Sequence, residues 1–361
     1  MAIHLTDLNI DQFRGIRDLH LAGLNHVNIL LGDNNAGKTT ILEILKSIQE
    51  PTSLINWRKV FRFDYQSRSP LYEGMLGIFP FDEEKLSASY RFMDVKGVST
   101  QVLIQGEIDH VQLEEREVQR LNGYITTGNR KDQQLDEMVD ADCLRVQFYV
   151  NGEKKTERNI YDFSRRLRAE SADEEFFATY FMGSVDHIVG YDNLGEVLNS
   201  VSLQKKLVKA LQIFDSSITG IQAIQDGYGT KYYVLTSTRE KGVPLSLYGD
   251  GLKKAVNLIS NIVYVENGIL MVDEFETSVH TSAMKELFEV ALQSALERNV
   301  QLFMSTHSKE AVEVLLNLDL YPKENISVHT IHREDGCHLI RSLSSVDAQK
   351  AIREWGMDLR K

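Results

Sequence analysis

An α/β fold with a largely parallel central sheet is predicted from two stretches of the chain. Near the start, the apolar run Val27-Asn28-Ile29-Leu30-Leu31 passes through a glycine-bounded loop into Ile41, Leu45 and Ile48, which recur at helical spacing. In the last third, the short apolar strand Ile269-Leu270-Met271-Val272 precedes a helical face over Met284, Leu287, Phe288, Ala291 and Ala295, and then the apolar run Val300 to Met304. A strand, a crossover helix and a second strand build a parallel sheet buried on both faces, with function at the carboxyl ends of its strands.

The other elements follow in order. Ile3 and Leu5, then Leu8 and Ile10, alternate as strands do, pass Phe13-Arg14-Gly15, and reach the strand that should end at Gly32. Gln101 to Gln105 and Leu144 to Val150 are strand-like, and Asn151-Gly152 is read as a hairpin turn. Residues 106–219 hold 21 acidic and 14 basic residues in stretches read as an inserted α-rich lobe. Gly123 and Gly128 interrupt its most helical part and no heptads are sustained, which argues against a coiled-coil arm. With no repeat, no low-complexity linker and only five prolines, residues 1–361 are read as one domain carrying an insertion.

Composition sets limits on function. The 361 residues are 42% hydrophobic and 25% charged, a globular balance. A net charge of -12 repels nucleic acid and anionic membranes at long range, so any DNA contact must be a local patch. Cys143 and Cys337 cannot make a disulfide framework, and Met1-Ala2-Ile3-His4-Leu5 lacks a basic region followed by an apolar stretch. No run approaches the roughly 18 apolar residues of a membrane span. The expectation is a reduced, cytoplasmic protein with no membrane association.

Gly32-Asp33-Asn34-Asn35-Ala36-Gly37-Lys38-Thr39 satisfies the phosphate-loop pattern GxxxxGK[ST] and lies between a predicted strand and a predicted helix. Its glycines let the backbone wrap around phosphates, Lys38 neutralises the outer ones, and the Thr39 hydroxyl can ligate magnesium. Asp273 and Glu274 end the next strand. Beside a phosphate loop, Asp273 is assigned to magnesium and Glu274 to the attacking water. Ser305-Thr306-His307-Ser308 ends the neighbouring strand, which brings His307 to the same sheet edge as a sensor of the terminal phosphate.

Taken in order, Gly32 to Thr39, Ser246-Leu247-Tyr248-Gly249-Asp250-Gly251-Leu252-Lys253-Lys254, Ile269 to Glu274 and Ser305 to Ser308 resemble the Walker A, signature, Walker B and histidine-switch motifs of ABC-type ATPases. The set is most similar to the OLD-like (overcoming lysogenisation defect) and RecF/SMC-type ATPases. Phe13-Arg14-Gly15, Asp273-Glu274-Phe275-Glu276 with His280, and the ending Gly356-Met357-Asp358-Leu359-Arg360 also look like that family. The resemblance does not cover residues 51 to 215. It implies an ABC-type P-loop NTPase head with a mixed or parallel central sheet, an antiparallel β subdomain and the inserted α-rich lobe. Residues 1–105 and 220–361 would then be the nucleotide-binding lobe and 106–219 the insertion.

The same resemblance implies ATP and Mg2+ as cofactors, and a homodimer or larger homo-oligomer whose heads sandwich ATP. Asn34, Asn35, Ala36, Gly37, Lys38, Thr39 and Thr40 would cradle the phosphates, and Arg14 would touch the nucleotide near its base or α-phosphate. Ser246, Gly249 and Gly251 would reach the partner's nucleotide, with Tyr248 standing where a serine usually precedes the glycine. That departure leaves the contact through Ser246 open. Neither Gln101 nor Gln105 is assigned as the glutamine-loop residue.

His329, His332, Cys337 and His338 have the composition of a metal cluster, but Ile326 to Ile331 alternates like a strand and Glu334-Asp335-Gly336 looks like a turn, so His329 and His332 should diverge. Lys154 to Arg168 carries Lys154, Lys155, Arg158, Arg165, Arg166 and Arg168 with Tyr161 and Phe163. It reads as a nucleic-acid or acidic-partner patch, or as a solvated hairpin face. A fused Toprim nuclease is not expected in the 54 residues after His307. Three functions remain: an ATP-gated switch controlling a separate effector, a nuclease or toxin, in anti-phage defence; a RecF-like repair ATPase that binds DNA directly; and a scaffold that binds ATP without turnover.

Overall fold

The computed structural model describes residues 3–62, 70–121, 138–164, 174–186, 190–227, 229–334 and 337–360. The chain opens with an antiparallel hairpin of β1 (Leu5–Phe13) and β2 (Ile16–Ala22). β3 (Val27–Gly32) is buried at every residue, and α1 (Lys38–Ser47) follows its loop. The short helices α2 (Leu54–Arg58) and α3 (Pro70–Leu76) lead into β4 (Leu86–Asp94) and β5 (Ser99–Glu114), then α4 (Glu115–Leu121), β6 (Met138–Val150) and β7 (Glu153–Tyr161). β8 (Thr179–Met182), α5 (Leu194–Leu198) and α6 (Val201–Leu211) precede a small antiparallel group of β9 (Ile218–Asp226), β10 (Gly229–Thr236) and β11 (Val243–Pro244). α7 (Asp250–Tyr264), β12 (Ile269–Val272), α8 (Thr281–Glu297), β13 (Gln301–Ser305) and α9 (Lys309–Leu316) complete the crossover units. β14 (Ile326–Glu334), β15 (Cys337–Ser344) and α10 (Ser345–Trp355) end the fold.

The central sheet has the order β15-β14-β3-β13-β12-β8. β14, β3, β13, β12 and β8 run parallel, and β15 closes the edge as an antiparallel hairpin partner. A second sheet, β2-β1-β4-β5-β6-β7, is antiparallel throughout. Between the two sheets lies α1, with all but one of its residues buried. Its Ile41, Ile44 and Leu45 share one core with Leu8, Ile10, Tyr90 and Phe148 of the antiparallel sheet and Met271 and Phe303 of the central one. The other face of the central sheet is covered by α5 to α10 around a second core that includes Leu207, Ile259, Leu287 and Leu315. Burial on both faces explains why β3, β12 and β13 read as continuous apolar runs.

Residues 106–219 depart from the expected α-rich lobe. Among the described residues, β5, β6 and β7 carry the antiparallel sheet outward, and helix is confined to α4, α5 and α6. β8, from the same segment, joins the central sheet beside β12. The boundaries at 105/106 and 219/220 therefore fall inside β5 and β9. The charges that suggested helix are cross-strand pairs: Arg145 with Asp109, His110 with Asp142 and Gln112 with Asp140 join β5 to β6. An antiparallel ribbon with solvated faces accommodates such pairs without an apolar stripe. Asn151 (φ 51) and Gly152 (φ 81) do turn the β6–β7 hairpin. Gly123, Gly128, Asp335 and Gly336 lie outside the described residues.

Two buried histidines join the central sheet to its surroundings. His26 donates from Nε2 to the Val300 carbonyl at 2.7 Å and bonds the Tyr321 hydroxyl through Nδ1. His329 lies 2.8 Å from Ser342 Oγ through Nδ1 and donates from Nε2 to Asn28 Oδ1 at 3.4 Å. Burial pushes both down to about 4. Both stay neutral in the folded protein while the unfolded chain takes up protons below about 6.5, so stability falls as pH drops from about 6.5 to about 4. The loss is expected to reach about 3 kcal/mol for each group. Urea unfolding at pH 7, 5.5 and 4 should show it, and a His26→Gln, His329→Gln double variant should show a shallower dependence over the same interval.

Candidate functional site

The phosphate loop takes its shape from backbone positions that favour glycine. Gly32 ends β3 at φ 138, where a Cβ would sit 2.2 Å from the Ile331 carbonyl oxygen of the adjoining β14. Gly37 opens α1 at φ 95, against the side chain of Ile16. Asn35, at φ 66, is among the residue types that tolerate this region. Lys38 is buried, and its Nζ donates to the carbonyls of Gly32 and Asp33, both at 2.8 Å. Burial lowers the lysine below its ordinary range, opposed by the nearby Asp273, Asp33, Glu274 and Glu276 carboxylates.

The parallel register brings the other site residues to the same edge. Val272 pairs with Met304 and Ser305 with Leu30, so β12, β13 and β3 end side by side. Thr39 Oγ1, at the start of α1, donates to Asp273 Oδ2 at 2.9 Å. The Ser305 hydroxyl donates to the other oxygen of Asp273 and accepts the Glu274 N–H at 2.9 Å. Glu274 holds φ 46, a left-handed conformation uncommon for a non-glycine residue. His307 donates its backbone N–H to Glu276 Oε1 at 3.2 Å. Asn34 to Thr40, Asp273, Glu274 and His307 all line one cavity of about 430 Å³, completed by Arg62. The hydroxyl of Thr39 and the carboxylate of Asp273 are hard oxygen donors, the set that magnesium prefers.

A second cavity of about 380 Å³ shares Asn35, Gly37, Thr40 and Arg62 with the first. Arg14 borders it, but its guanidinium is already committed: it is ion-paired with Glu43 and donates to the carbonyls of Gly77 at 3.2 Å and Val60 at 2.9 Å. Burial lowers Arg14 to about 10 and raises Glu43 despite their mutual attraction, so desolvation outweighs the pairing on both sides. With these partners Arg14 stands at the wall of the second cavity. Arg62, which the sequence did not single out, is the guanidinium bordering both cavities. It is half exposed, and donates to Glu43 at 2.8 and 2.9 Å and to Thr40 Oγ1 at 3.3 Å.

Ser246, Gly249 and Gly251 do not line the phosphate cavity of their own chain. They lie in the turn and first residues that start α7, where Ser246, Leu247 and Gly249 are exposed. Gln101 and Gln105 sit on β5, away from the cavity. Of the basic segment, Lys154 is paired with Glu157, and Lys155 with Glu153 and Glu174. Arg165, Arg166 and Arg168 lie outside the described residues. Ser305, Glu276 and Lys254 stand within the quoted motifs with no role of their own assigned; in the structure Ser305 and Glu276 position site groups, and the Lys254 ammonium holds the loop after Asp273.

Comparison with known proteins places this geometry. The chain is 22% identical over 347 residues to a Helicobacter pylori protein named ATP/GTP phosphatase, covering 86% of this chain and 87% of that one. It is 29% identical over 106 residues to the DNA replication and repair protein RecF of Acinetobacter baumannii, 29% of each chain. The solved structure of an SMC head bound to the C-winged helix domain of ScpA superposes with a TM-score of 0.51 at 11% identity, over 96% of this chain and 99% of that one. That likeness establishes an SMC-head fold. A family model described as "AAA domain, putative AbiEii toxin, Type IV TA system" matches residues 99–313, the range holding the signature stretch, Asp273, Glu274 and His307. The chain belongs to that AAA-domain family and is a P-loop ATPase with an SMC-head fold.

Proposed function

We propose that the chain is an ATP-gated switch: two copies close on two ATP molecules, hydrolysis reopens them, and a separate effector, a nuclease or toxin, is held or released accordingly. One juxtaposition carries the proposal. The phosphate cavity gathers Lys38, Thr39, Asp273, Glu274 and His307 on one chain, while Ser246, Leu247 and Gly249 of that chain stand exposed elsewhere. A second copy could supply those residues over the first copy's cavity. The family description, with its toxin and type IV toxin–antitoxin system, supports a role in bacterial conflict. The DNA-binding alternative has less support, because Lys154 and Lys155 are neutralised by neighbouring glutamates.

In this mechanism Lys38 exchanges its two carbonyl partners for the outer phosphates, a step favoured because its buried charge lacks a directly bonded carboxylate. Thr39 and Asp273 would hold magnesium, whose charge offsets that of the phosphate oxygens and of the acidic groups around them. Glu274 accepts a proton from the attacking water as the water oxygen bonds the γ-phosphorus and the bond to the β-phosphate oxygen breaks, leaving ADP and phosphate. His307 donates to the γ-phosphate oxygens. The nucleoside occupies the second cavity, with Arg62 at the junction.

Lys38→Ala is expected to abolish the heat of ATP–magnesium binding in a calorimetric titration. Glu274→Gln should keep that binding, lower turnover by roughly 100-fold or more, and accumulate a dimer in ATP by light scattering. Wild-type turnover in both variants would refute the site. Arg62→Ala is expected to weaken ATP by about tenfold. Inorganic tripolyphosphate, which lacks the nucleoside, should discriminate less between Arg62→Ala and wild type. With several carboxylates around the site, EDTA should weaken ATP binding in the wild type.

A further inference from the structure

We propose that Lys254 is a positioning residue for hydrolysis: from α7 it fixes the backbone around Glu274, so that the carboxylate facing the attacking water answers to whatever engages the start of that helix. This rests on the assignment of Glu274 to the water.

Lys254 is 1% exposed, yet it has no ion pair among the described residues; its Nζ donates to the carbonyls of Glu274 at 2.8 Å and Thr277 at 2.9 Å. Burying an ammonium on neutral acceptors is costly, so a lysine at this buried place, on a helix that also buries Asn257 and Asn261, demands a compensating role. The bonded carbonyls indicate which. The N–H of Glu274 is held by Ser305 Oγ and its C=O by Lys254, so both peptide groups flanking its Cα are fixed. That residue has the left-handed φ of 46, and Ser278 at the end of the loop has φ 67. A backbone with an uncommon conformation at both ends persists only when its surroundings determine it. Ser305 anchors it to the sheet, and Lys254 anchors it to α7.

The same helix begins at Asp250, directly after the exposed Ser246, Leu247 and Gly249, and its second residue, Gly251, meets the loop. A Cβ at Gly251 would lie 2.9 Å from the Ser278 carbonyl oxygen. α7 thus touches residues 274–278 twice, at Gly251 and at Lys254. A partner engaging the start of α7 moves both contacts together, because a helix transmits displacement along its axis as a rigid element. Asp273, Glu274 and Glu276 supply the negative field that keeps the ammonium in place.

The experiment compares Lys254→Met, Lys254→Arg and Glu274→Gln with the wild type, measuring thermal unfolding, ATP–magnesium binding by calorimetry, and steady-state hydrolysis. Lys254→Met is expected to fold with an unchanged or higher melting temperature, since an apolar side chain of similar volume replaces a desolvated cation. It should bind ATP within about threefold of wild type and lose roughly 100-fold in kcat with KM little changed. Lys254→Arg, which keeps charge and donors, should recover part of the lost kcat. Turnover near wild type in Lys254→Met overturns the proposal. So do variants that both fail to fold or to bind ATP, because the lysine would then be structural only. Full turnover in Glu274→Gln removes the assignment beneath it, whereas an inactive Glu274→Gln beside an active Lys254→Met removes the lysine's role alone.

Discussion

The side-by-side ending of three parallel strands is the constraint on which the site depends. β12 and β13 stop within one residue of each other in register and β3 runs two residues past the partner of Ser305, so the loops that leave them share a small space at the sheet edge. Asp273 sits where they meet. One oxygen accepts from Thr39 at the start of α1 and the other from Ser305 at the end of β13. A single carboxylate thereby ties together the phosphate loop, its own strand end and the switch strand, segments separated by more than two hundred residues in the chain. Slipping β12 by one residue against β13 would turn Asp273 toward the opposite face of the sheet and undo all three.

Much of this was legible before any coordinates, for a physical reason. Strands buried on both faces have to be apolar, so Val27 to Leu31, Ile269 to Val272 and Val300 to Met304 announce themselves. The residues just past their carboxyl ends are then the natural candidates for chemistry. Arg14 and Arg62 illustrate what stays hidden. Both are arginines near the site and both bond Glu43, a residue on α1 whose side chain enters a core no sequence pattern reveals; Arg14 is buried on it, whereas Arg62 stays half exposed. Arg14 of Phe13-Arg14-Gly15, singled out by family likeness, is buried on Glu43 at the edge of the second cavity. Residues 106–219 failed in a different way: charge density suggested helix, while cross-strand pairing between β5 and β6 uses the same charges in a ribbon.

Desolvation organises the electrostatics of the centre. Arg14 and Glu43, in contact with each other, are both pushed toward their neutral forms, which means that burial outweighs their attraction. Such a pair adds little net stability, but it fixes geometry, since breaking it leaves one charge stranded. Through Glu43 the pair also holds Arg62, which borders both cavities, while Arg14 lines the second one.

Lys38 and Lys254 extend that logic to a difference in kind. Each is a buried ammonium on two backbone carbonyls, and burial lowers both, Lys254 to about 8. The carbonyls under Lys38 belong to Gly32 and Asp33, at the rim of a cavity open to a ligand, so a phosphate can replace them. Those under Lys254 belong to Glu274 and Thr277, and although Glu274 lines the phosphate cavity, Lys254 is not among its lining residues. With no anion to move to, Lys254 can change the site only by moving the loop it holds. In the proposed mechanism the two lysines would divide the work: one would sense the nucleotide by exchanging partners, and the other would convey the position of α7 by keeping them.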